Sequence, residues 1–144
     1  LPWAFVAAQS PQVDMVTGAT YSSRQYIQAV ERALEKASLV KRGGKYFDGV
    51  FQAKSKTDEY GYAIAKVSLK NDKMTSVELK YIDADGKERN FDTYEYEPSV
   101  RAYRELPEKF VATNTYEVDE VAGATSSSIK FKEAVKNALE IARR

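Results

Sequence analysis

Two stretches of small and hydroxyl-bearing residues carry the chemistry this sequence can offer. They read Asp14-Met15-Val16-Thr17-Gly18-Ala19-Thr20-Tyr21-Ser22-Ser23 and Asp119-Glu120-Val121-Ala122-Gly123-Ala124-Thr125-Ser126-Ser127-Ser128. In each, glycine lets the backbone turn tightly, alanine keeps the turn uncluttered, and a threonine hydroxyl emerges just before an amphipathic run. A hydroxyl at that place sits beside the free N–H groups and the positive end of a helix dipole, a setting that receives a phosphate well. The plainer reading is helix capping, and Ser22 with Gln25 fits a capping box. Capping, however, needs one small polar residue at one position. Here Asp, Val, Gly, Ala, Thr and two serines recur in the same order.

Composition removes the competing chemistries. The 144 residues include no cysteine and no histidine. Thiolate metal sites, iron–sulfur clusters, thiol nucleophiles and the commonest general base are therefore absent, and any redox role needs an organic cofactor. The formal net charge is +1, with basic and acidic residues interspersed, so nucleic acid is not an expected partner. No run approaches the roughly 20 apolar residues of a membrane span.

The elements that must position the two threonines come in duplicate. A shift of 105 positions aligns Leu1-Pro2 with Leu106-Pro107 and Phe5-Val6-Ala7 with Phe110-Val111-Ala112. It also aligns Val13–Ala37 with Val118–Ala142, where 14 of 25 positions are identical. A repeat of that quality divides the chain into a closing half (1–39), an opening half (about 40–105) and a second closing half (106–144). Residues 40–144 then make one whole domain, and residues 1–39 are the C-terminal half of an upstream copy.

Periodicity supplies a coarse α+β fold. Tyr46–Lys56, Tyr60–Leu69 and Met74–Ile82 alternate like strands, with turn chemistry at Asn71-Asp72-Lys73 and Asp83-Ala84-Asp85-Gly86, which predicts an antiparallel meander. Pro98 suits the first turn of a short linking helix that Pro107 is expected to interrupt. Ile27, Val30, Ala33, Leu34 and Ala37 recur at helical spacing, as do Phe131, Ala134, Val135, Ala138, Leu139 and Ala142. Each closing half should therefore end in an amphipathic helix.

The two hydroxyl-bearing stretches resemble the flavinylation motif of the FMN-binding domain family: Asp, two variable residues, Ser or Thr, Gly, Ala, then Thr or Ser. Asp14, Thr17, Gly18, Ala19 and Thr20 match it throughout. Asp119, Gly123, Ala124 and Thr125 match it with Ala122 at the Ser/Thr place. Lys45–Phe51 and Tyr60-Gly61-Tyr62 are similar to that family's opening strands, so the resemblance covers residues 40–144 as a domain and residues 1–39 as a second half.

The resemblance implies FMN held covalently, one or two per chain, as a phosphoester on Thr20 and Thr125. A flavin transferase that needs Mg2+ would take the FMN from FAD. Asp14 and Asp119 would order their loops by accepting backbone N–H bonds or would assist that enzyme, with an Asx turn as the plainer role. Tyr21 directly follows one acceptor and could stack on the ring; Ser126 is its counterpart. Trp3, Phe5, Tyr26, Phe110, Tyr116 and Phe131 lie near the motifs, and Tyr46, Tyr60 and Tyr62 alternate with core positions, as sheet surface or a flavin edge.

The implied protein is an electron carrier, not an enzyme. It would work outside the cytoplasm, at the cell surface or anchored to the membrane through a segment upstream of Leu1. It would take electrons from a membrane NADH dehydrogenase or quinone-linked donor and pass them to a soluble or extracellular acceptor. Two flavin-bearing units suggest a relay, and residues 1–39 docking on a neighbour's sheet would give a homo-oligomer or swapped dimer. The rival reading is a non-redox surface lipoprotein or binding module. A stand-alone flavin reductase ranks below both, because no nicotinamide-binding glycine fingerprint and no acid–base pair are present.

Overall fold

The computed structural model describes residues 1–38 and 44–144. They divide into two compact units, Leu1–Gly43 with Arg144, and Gly44–Arg143. The boundary expected between residues 39 and 40 lies outside the described residues.

The first unit holds helices α1 (Pro2–Ala8) and α2 (Thr20–Ala37). Pro2 opens α1, where its missing N–H costs no helical bond, and Gln9 closes it in the left-handed region at φ 48°. Along α2, Tyr26 and Leu34 are exposed, and Val30 is half-buried.

The second unit is an antiparallel three-stranded meander, β1 (Gly49–Lys54), β2 (Gly61–Lys70) and β3 (Lys73–Asp83), covered on one face by α3 (Glu97–Thr113) and α4 (Thr125–Ala142). This is the expected α+β arrangement. Alternation places Ala63, Ala65, Val67 and Leu69 of β2 inward, and the register sets Val67 opposite both Phe51 and Val77. Helix α4 packs on β1 and β2 with Phe131, Ala134, Val135, Ala138, Leu139 and Ala142 all buried, as their spacing predicts. Helix α3 packs on β3 through Val100, Ala102, Leu106 and Phe110. The β2–β3 turn carries Asn71 and Asp72 at positive φ, the conformation these residues tolerate best after glycine.

Three expectations need correction. Strand β1 is shorter than Tyr46–Lys56. The Asp72 carboxylate accepts the Lys45 and Tyr46 N–H groups, and Phe47 donates its N–H to the Ala142 carbonyl at 2.8 Å, so the chain before Gly49 is held by a turn and a helix end, not by the sheet. Pro107 does not interrupt the linking helix, which runs 17 residues to Thr113. Proline inside a helix costs about 3 kcal/mol, and burial of Leu106 and Phe110 on either side offsets it. Ser22 and Gln25 form no capping box: α2 begins two residues earlier, at Thr20, behind an N-cap Ala19 that has no side-chain cap.

Candidate functional site

The two motif loops, 105 residues apart in sequence, take the same backbone path. Gly18 and Gly123 sit at φ 79° and 78°, a conformation that strains any residue with a Cβ. Ala19 and Ala124 follow as N-caps with the same φ of -128°. Thr20 and Thr125 are then the first residues of α2 and α4. Ala19 donates its N–H to the Val16 carbonyl at 3.0 Å and Ala124 to that of Val121 at 2.9 Å, closing each loop into a tight turn.

A serine three residues beyond each threonine locks the turn. The Ser23 hydroxyl accepts the Val16 N–H at 3.0 Å, and the Ser128 hydroxyl accepts the Val121 N–H at 3.0 Å. Both serines are almost fully buried. The sequence does not single them out. What sets them apart is their place one helical turn on, where a side chain lies over the preceding turn.

The two motif threonine hydroxyls are uncommitted. Thr20 and Thr125 are exposed, and no hydrogen bond engages either side chain among the described residues. A capping threonine would have its oxygen occupied by an N–H of the first turn. The first-turn N–H groups, which precede the Ser23-to-Ala19 and Ser128-to-Ala124 bonds, lie beside these hydroxyls and offer an anion their dipole and their protons.

The remaining polar side chains of the motif are exposed. Asp14 and Asp119 are exposed, and neither carboxylate accepts a hydrogen bond among the described residues, so the loops are held by the serines. Thr17 and its counterpart Ala122 are exposed. Tyr21 stands 76% exposed directly after Thr20, and Ser126 is likewise exposed. Phe110 and Phe131 are core residues and Tyr116 packs against the core. Trp3, Tyr26 and Tyr60 are exposed.

In the second unit, α3 reaches across to the loop. Tyr96 donates its hydroxyl to the Gly123 carbonyl at 2.5 Å, and Arg101 donates from Nη2 to the Ala122 carbonyl at 2.8 Å. The Ser99 and Ser127 hydroxyls share a hydrogen bond at 2.9 Å. A Cβ on Gly123 would stand 3.1 Å from the Pro98 ring. Neither Tyr96 nor Arg101 carries a sequence signal, because their partners lie more than 20 positions away. On the approach to the loop, the Glu120 carboxylate is held below its ordinary range by its own backbone N–H and by Lys132, 3.2 Å away.

Behind the loop, the Lys130 ammonium is buried between Asp58, at 2.5 Å, and the Tyr81 hydroxyl, at 2.7 Å. Burial pushes its pKa down, but hydrogen bonds to Asp58 and Tyr81 outweigh that and leave it raised. The Asp58 carboxyl is correspondingly held low, first by the Lys130 bond and then by the Tyr60 N–H. This pair fastens the β1–β2 turn to α4. A shallow cleft of about 320 Å³, lined by residues including Lys80, Arg89, Asn90 and Tyr103, lies beside β3 and shares no residue with the motif loop. Among the described residues no cluster of acidic side chains suits a metal ion, and no helix is long and apolar enough to cross a membrane.

The family model for the FMN-binding domain matches residues 4–35 and 58–140, taking in both motif loops. The chain belongs to the FMN-binding domain family. It is thus a flavin-binding module of electron-transfer type. The fold agrees: a Clostridium perfringens protein of known crystal structure superposes with a TM-score of 0.55 at 18% identity, covering 67% of this chain and 88% of its own. No curated protein matches the chain. The residues present suit FMN, since each motif loop sets an exposed threonine hydroxyl at a helix start whose first-turn N–H groups can receive a phosphate.

Proposed function

We propose that this FMN-binding chain carries FMN as a phosphoester on Thr125 and on Thr20, and serves outside the cytoplasm as an electron carrier between a membrane reductase and an acceptor. The observation that carries the reading is the pair of exposed, uncommitted threonine hydroxyls, each at the first position of a helix and each behind the same glycine turn.

In the attachment reaction the threonine oxygen bonds to the phosphorus of the FMN half of FAD. The pyrophosphate linkage breaks, AMP leaves, and the hydroxyl proton is released. Magnesium belongs to the transferase in this reading. The chain contributes an accessible oxygen, a rigid turn beneath it, and N–H groups that stabilise the remaining phosphate charge. Bound flavin supplies one- and two-electron transfer, and the chain's part is placement and exposure. A tether also frees the site from needing an enclosing pocket, which suits threonines as open as these. An extracytoplasmic location follows from the same logic, because a cofactor lost there would be diluted away. Donors of the membrane NADH dehydrogenase or quinone-linked class and soluble or extracellular acceptors are the corresponding partners.

The test is in-gel flavin fluorescence of denatured chain made with the transferase. Wild type should fluoresce, Thr20→Val and Thr125→Val should each weaken the band, and the double variant should be dark. A double variant as bright as wild type would place the flavin elsewhere, and a dark wild type would favour a non-redox binding module.

A further inference from the structure

Beyond the attachment residue itself, the start of α3 holds the second acceptor loop at two consecutive carbonyls. Tyr96 takes that of Gly123, and Arg101 takes that of Ala122. A third tie joins Ser99 to Ser127 on the first turn of α4, and the Pro98 ring covers Gly123. A trans peptide is planar, so fixing a carbonyl also fixes the N–H on its far side. Directing the Ala122 carbonyl at α3 turns the Gly123 N–H away from it, and that N–H has no hydrogen-bond partner among the described residues. The Ala124 N–H, on the far side of the Gly123 carbonyl, completes the turn to Val121.

We infer that Tyr96 and Arg101 are positioning residues for flavin attachment at Thr125. They hold the loop so that the threonine oxygen and the free N–H groups are presented to the incoming phosphate in one fixed arrangement. This rests on the attachment reading above. Both side chains are exposed and neither belongs to the buried core, so their effect is on the loop and not on the stability of the fold. A reacting group displaced by about an ångström can lose on the order of a hundredfold in rate, so a loop freed at two points should lose on the order of tenfold.

The experiment uses the full chain with purified transferase, FAD and Mg2+, and follows FMN loading at Thr125 and Thr20 by peptide mapping. Tyr96→Phe and Arg101→Met, singly and together, remove the two donors, and Arg101→Lys keeps one. The expected result is a fall on the order of tenfold in the initial rate at Thr125 for the double variant. Loading at Thr20 and the urea midpoint should stay near wild type, and Arg101→Lys should load faster than Arg101→Met. Unchanged loading at Thr125, or an equal fall at both threonines, overturns the inference. A wild-type chain that takes no FMN at Thr125 overturns the attachment reading itself, a result distinct from normal wild-type loading that the variants leave untouched.

Discussion

The buried Ser128 hydroxyl accepts the N–H of Val121, seven residues earlier, at 3.0 Å, and so ties the first turn of α4 to the loop that precedes Thr125. Ser23 and Val16 repeat the bond at the same distance. Each motif loop is therefore a closed, hydrogen-bonded turn with the threonine oxygen left outside it.

Replacing Ser128 by alanine strands the Val121 N–H in a buried place. Leaving a buried donor unmatched costs about 1–3 kcal/mol. A urea titration of Ser128→Ala should show a loss in that range, and a midpoint equal to wild type would mean the bond does not hold the loop.

Gly123 and Gly18 share a left-handed backbone but differ in surroundings. Alanine at either position meets about 1–2 kcal/mol of backbone strain. At Gly123 the new methyl also stands 3.1 Å from Pro98, whereas at Gly18 nothing lies within 4 Å. Thermal unfolding should therefore find Gly123→Ala the more damaging of the two, and equal losses would show that α3 does not press on the loop.

The Lys130–Asp58 pair gives stability a defined pH dependence. The Asp58 pKa is lowered in the folded chain, so its contribution is present above the ordinary carboxylate pKa of about 4 and is lost as pH falls through the folded value. The Lys130 pKa is raised, so its contribution is present below about 10.4 and is lost as pH rises through the folded value. Urea midpoints measured across pH should be flat between these limits. Asp58→Asn should remove part of the acid limb, and an unchanged acid limb would assign it to other carboxylates.

Flavin on both threonines, as proposed, predicts a relay. With Thr20 replaced by valine, the chain should keep flavin on Thr125 yet reduce a soluble acceptor more slowly when driven by the membrane donor. Stopped-flow rates equal to wild type would remove the case for transfer between the two flavins.

Much of this was legible in the residues. Alternation in Ala63, Ala65, Val67 and Leu69 set the sheet's inner face, and the helical spacing of Phe131 to Ala142 set the face of α4, because both reflect burial on one side. The motif loops were legible through their duplication. Pro107 misled because its local cost is outweighed by packing that only the tertiary fold reveals. The ties from Tyr96 and Arg101 were hidden for a related reason: they join residues 27 and 21 positions apart, and no short pattern records such a pairing.

Intact mass of the native chain, followed by mapping of the peptides that span residues 14–23 and 119–128, tests the central claim most directly. The expected result is added FMN, on Thr125 and on Thr20, that survives denaturation. Unmodified peptides at both loops, in material from cells that contain the transferase, would contradict it.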